Sequence, residues 1–107
     1  MMLKVSDAAV AAYDAVANSL EAAGVVRGSM FGMPCLKIDK LVVAGMYGDA
    51  MTFKLPPEPR ERALTVPGAE PFDPGMGRPM KEWVAIPLAQ SDVWPEYAGE
   101  ALEYVAR

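Results

Sequence analysis

Lys54, Arg78, Lys81 and Trp83 are the residues whose types and grouping suggest chemistry. Three cations flank a Gly/Pro-rich stretch, where a guanidinium or ammonium can hold an anion and an indole can stack on a flat group. A plainer account fits the same residues: Lys54 and Lys81 as solvated strand-end charges, Trp83 as part of the core. Gly75-Met76-Gly77 superficially suggests a phosphate loop. Its spacing matches neither the P-loop nor the dinucleotide fingerprint, and no strand-turn-helix context surrounds it.

Composition removes other chemistries. Histidine is absent, which excludes Ser-His-Asp and Cys-His arrangements and every histidine-based metal site. The single cysteine, Cys35, forms no intrachain disulfide and reads as a small buried residue. Lys37 is the only nearby hint of a reactive thiol. No two carboxylates stand at a spacing that places them across a cleft for acid/base work. We therefore expect no metal and no cofactor. The formal charge of −4, with ten Lys and Arg spread along the chain, argues against direct binding of nucleic acid.

The elements that must position these groups centre on residues 29–55, SMFGMPCLKIDKLVVAGMYGDAMTFKL, which read as three apolar strands joined by two-residue turns at Asp39-Lys40 and Gly48-Asp49. Such turns set a register in which Leu36 faces Val43, Cys35 faces Ala44, Met46 faces Met51 and Ala44 faces Phe53. One face then collects Met33, Cys35, Val42, Ala44, Met46, Met51, Phe53 and Leu55, the face expected under helices. The other carries Leu36, Ile38, Leu41, Val43, Gly45, Tyr47, Thr52 and Lys54. A sheet surface this apolar is expected to be covered, by a later segment or by a second copy of the chain. Gly45 marks a bulge or a close approach of other backbone.

On either side lie helices. Ser6 is a candidate N-cap with Asp7 in the first turn, Val5 and Val10 sit at staple positions, and Gly24 supplies a stop. Val10, Tyr13, Val16, Ala17 and Leu20 form the apolar stripe of this first helix, and residues 25–28 link it to the strands. After Leu55, Pro59 is expected to open a short helix running to Leu64, with Glu58, Arg60, Glu61 and Arg62 as a solvated face of weak ion pairs. Residues 69–81 lack periodicity and read as a loop anchored by Phe72. Residues 82–87 form a further strand, and Trp94, Tyr97, Ala98, Ala101, Leu102 and Val105 give a terminal helix its core stripe.

The expected fold is therefore α+β: an antiparallel sheet, a three-stranded meander plus a later strand, packed against N- and C-terminal helices in a single domain of residues 1–107. No apolar run is long enough to span a membrane, and no signal-peptide pattern opens the chain, so a soluble, cytoplasmic protein is expected.

Met30-Phe31-Gly32, Phe53-Lys54 before a short helix, Glu70-Pro71-Phe72, and Pro79-Met80 leading to Trp83 and Pro87 together resemble, in order and spacing, the N-terminal domain of the bacterial TfoX/Sxy family of competence regulators. The resemblance covers nearly the whole chain. It departs at Met33, where a second glycine is usual, and at Thr52-Phe53-Lys54, where an aromatic-Leu-Lys ending is usual. It implies a stand-alone α+β domain with a regulatory or interaction role.

Two functional classes follow. One is a non-enzymatic interaction module that meets a protein partner or forms a homodimer through the apolar sheet face, with Leu36, Tyr47 and Thr52 at the interface. The alternative is a small anionic-ligand-binding protein or enzyme built from the Gly/Pro loop of residues 73–81 and the strand ends, using Lys54, Arg78, Lys81 and Trp83.

Overall fold

In the computed structural model, which describes residues 5–30, 32–72 and 82–107, the chain is an antiparallel sheet packed against N- and C-terminal helices. The first helix, α1 (Asp7–Leu20), begins where the Ser6 hydroxyl accepts the main-chain N–H of Ala9 at 3.2 Å, satisfying one of the helix's orphan donors. A short 3-10 turn over Glu21–Ala23 follows, and Gly24 at φ 95° ends it. Ala9, Tyr13, Val16 and Ala17 face the core. Val10, expected on that stripe, is 42% exposed, so Ala9 takes the place assigned to it.

Six strands form one sheet in the order β1-β2-β3-β4-β6-β5: β1 (Val26–Met30), β2 (Met33–Ile38), β3 (Leu41–Tyr47), β4 (Ala50–Lys54), β5 (Glu70–Pro71) and β6 (Trp83–Pro87). The meander and the later strand are present. Two edge strands join them that the residue pattern did not disclose, because β1 is mostly exposed and β5 holds only two residues. Both turns contain two residues; Asp39 and Lys40 each take positive φ (48° and 70°), which matches the twist of a tight hairpin.

The β3–β4 register is the expected one, with Met46 opposite Met51 and Ala44 opposite Phe53. The β2–β3 register is not. A bulge at Leu36/Lys37 pairs Leu36 with Ala44 and Cys35 with Gly45, so Val43 becomes the extra residue. A one-residue slip turns each affected side chain to the other face. Leu36 and Val43, expected on the second face, join the helix-packed core, whereas Cys35 and Val42 leave it.

The second helix, α2 (Pro57–Ala63), starts two residues before the expected position, with prolines in its first turn where their missing N–H groups leave nothing unpaired. A kinked 3-10 segment over Leu88–Val93 leads into α3 (Trp94–Val105). Trp94, Tyr97, Ala98 and Ala101 are its buried residues, and α3 lies across β3 and β4 beside α1. Trp94 is fully enclosed, and its indole N–H donates to the Ile86 carbonyl at 3.2 Å, which offsets the cost of burying that donor.

Candidate functional site

The second face of the sheet is shielded at one end by aromatic side chains. Phe72, just after β5, is 3% exposed; the Tyr47 ring meets it edge-on at 5.0 Å between centroids, and the Trp83 ring lies 6.5 Å from it. The Phe72 N–H donates to the Trp83 carbonyl, fixing this segment against β6. At this end a later segment of the chain supplies the cover.

The expected interface residues separate accordingly. Leu36 is fully buried beneath the helices, removed from the second face by the bulge. Thr52 does lie on the second face, opposite Gly45 and Ala85, but is 1% exposed, and its hydroxyl donates to the Gly45 carbonyl at 2.9 Å. Tyr47 alone of the three is half-exposed. Gly45 is a place of close approach: a Cβ there would stand 3.2 Å from the Cys35 Cβ and 3.5 Å from the Met30 methyl. Burial pushes the Cys35 thiol above its ordinary range, against a smaller opposing effect of Lys37, so the thiolate is disfavoured.

The expected anion-binding residues are not gathered into one site among the described residues. Lys54 is paired with Trp83 across β4 and β6, and its ammonium lies 4.0 Å from the Glu82 carboxylate. Trp83 is 7% exposed and belongs to the aromatic cover. Arg78 and Lys81 lie outside the described residues, as does Gly75-Met76-Gly77.

Two features were missed by sequence reasoning. One is the outer edge of β1. This five-residue strand pairs only with β2 among the described residues, and Val26 is 60% exposed. The other is a cavity of about 690 Å³ lined by Leu55, Pro57, Arg60, Glu61, Glu82 and Tyr104. Pro57, Arg60 and Glu61 share one face of α2, since residues three and four apart are neighbours on a helix. The Tyr104 hydroxyl, from the last turns of α3, donates to the Glu82 carboxylate. That bond, with a smaller effect of desolvation, raises the Tyr104 pKa above its ordinary value.

The two arginines of α2 differ. Arg62 is saturated: its guanidinium meets Glu58, Glu96 and Glu100 and stands over the Tyr97 ring at 5.5 Å. Arg60, expected in the same solvated ion-pair face, forms no salt bridge among the described residues, and its Nε–H is buried without an acceptor. A signal for this was present. Arg62 has Glu58 at i−4, whereas the residues three and four from Arg60 are Pro56, Pro57, Ala63 and Leu64.

Comparison of the chain with protein-family models, curated proteins and solved structures finds no match.

Proposed function

We propose that this chain is a non-enzymatic regulatory and protein-interaction module of the kind that forms the N-terminal domain of the TfoX/Sxy competence regulators. In this reading it acts in the bacterial cytoplasm and associates by adding a strand to the outer edge of β1, the strand coming from a second copy of the chain.

The observation that carries the reading is the contrast between the two sheet edges. The β5 edge is two residues long and includes Pro71, which has no N–H to offer a new strand. The β1 edge is five residues without proline, with Val26 60% exposed. An open edge of this length is a template for strand addition. It is also self-complementary. Antiparallel pairing about Gly28 sets Val26 against Met30 of the other copy and Arg27 against Ser29, so apolar groups meet and like charges do not.

Light scattering on a size-exclusion column tests this. The wild type is expected at about twice the 11.5 kDa chain mass at high concentration, and Val26→Lys at the single-chain mass. Because Val26 is exposed, that substitution leaves the core intact. A wild type that stays monomeric overturns the second-copy reading, and a Val26→Lys variant that stays dimeric overturns the choice of β1.

A further inference from the structure

We infer that the second copy also contributes its α1, which lies antiparallel against α1 and seats Val10 over the cavity between α1 and β1, the contact being made twice about the two-fold axis. This rests on the association through β1 proposed above and adds a helical layer to it.

Arg27 identifies the flank of α1 that faces β1. Its guanidinium pairs with Asp14 and donates to the Asn18 side-chain oxygen at 3.3 Å, and Val10, Asp14 and Asn18 stand four residues apart along one side of the helix. Between that flank and the strand lies a cavity of about 480 Å³, whose lining includes Val5, Val10, Tyr13, Ser29, Pro34 and Met46. Three large apolar side chains are exposed among the described residues, and two of them, Val10 and Val26, lie at this edge of the sheet. They occupy opposite faces, because Arg27 turns to α1 and its neighbour Val26 therefore turns away from it. A strand added to β1 covers Val26 and leaves Val10 bare.

Spacing decides what covers Val10. α3 lies across β3 and β4 with α1 beside it, and α1 is joined to β2 by the Tyr13–Cys35 hydrogen bond and to β1 by Arg27. α1 thus stands over β1 and β2. Continuing the sheet through a two-fold axis at Gly28 sets α1 of the second copy two strand spacings away, about 10 Å, which is the distance at which helices pack. The axis makes the two helices antiparallel.

Area and charge agree with this contact. Five paired residues extend only about 17 Å, whereas a stable interface buries about 800 Å² on each partner. The helices supply area that the strands lack. Strand pairing also brings Arg27 of both copies to the same face, where Asp14 of each chain already neutralises its own arginine. An apolar Val10 therefore approaches a cavity whose rim carries no unpaired charge of either sign from this pair.

Sedimentation equilibrium of the full chain tests the inference. Val10→Ala is expected to weaken the dimer roughly tenfold, because apolar surface is lost on both sides of the axis. Val10→Glu is expected to weaken it by roughly tenfold or more, since each dimer then encloses two carboxylates. Both substitutions fall on an exposed helical position, and circular dichroism verifies that the variants fold. Ala15→Glu, exposed on the opposite side of α1, adds the same charge and is expected to leave the affinity unchanged. A wild type that stays monomeric overturns the β1 reading and this inference together. A dimer that Val26→Lys dissociates but the Val10 variants do not weaken overturns the helical contact alone, as does an equal loss in Ala15→Glu.

Discussion

The phenol of Tyr13 donates to the main-chain carbonyl of Cys35 at 3.0 Å, joining α1 to β2 directly beside the bulge that resets the register of the sheet. The same ring carries the Arg27 guanidinium 5.5 Å from its centroid, and Arg27 in turn pairs with Asp14 one residue further along α1. One aromatic side chain thus connects the helix layer, the central strands and the β1 edge.

Replacing Tyr13 by phenylalanine keeps the ring and removes the donor. The Cys35 carbonyl is then buried without its partner, and a loss of about 1–2 kcal/mol is expected. Urea denaturation checks it: the midpoint should fall while the slope stays constant.

Stability should decline in alkaline solution. Burial holds the Cys35 thiol above its ordinary 9.0 and the Tyr13 phenol above 10.0, while the bond to Glu82 does the same for Tyr104. Each folded-state pKa is raised, so each contribution is fully present below the unfolded value and is lost as pH rises through the folded one. Denaturation midpoints measured upward from pH 9.0 should therefore fall. The fall should be shallower in Tyr13→Phe than in wild type.

Two glycines should respond in opposite directions to alanine. At Gly45 the new methyl would stand 3.2 Å from the Cys35 Cβ, and crowding at a packed site costs about 1–3 kcal/mol. At Gly99, on α3, nothing lies within 4 Å of the new methyl, and the gain in helix propensity is about 1 kcal/mol. Thermal melts of the two variants should move apart from the wild type, Gly45→Ala down and Gly99→Ala up.

Arg62→Met should cost little. Its side chain is 38% exposed, so solvent screens its pairs with Glu58, Glu96 and Glu100, and a loss of about 0.5–1 kcal/mol is expected. The difference from wild type should narrow as salt is added. A difference indifferent to salt would assign the effect to packing of the arginine stem over Tyr97 instead.

Much of this architecture was legible as a string of residues. Helix limits follow from local rules, as at the Ser6 cap and the Gly24 stop, and the two short turns dictate hairpins because left-handed backbone is accessible at them. The apolar stripe of Trp94, Tyr97, Ala98 and Ala101 was equally plain, since helical spacing allows one face only. These features depend on neighbours within a few positions.

Contacts between distant segments decided the rest. Nothing local to Leu36 or Val43 announces a bulge; it exists because the β2–β3 pair must meet both the turn at Asp39-Lys40 and the core beneath α1 and α3. That single extra residue moved Leu36 from an expected docking surface into the interior. Arg60 and Arg62 are two positions apart on one short helix and chemically identical. Glu58, four residues before Arg62, is readable in the sequence, but Glu96 and Glu100 reach Arg62, and Tyr104 comes to border the cavity beside Arg60, only where α3 is laid against α2, because a helix surface acquires its distant partners only when another element packs on it.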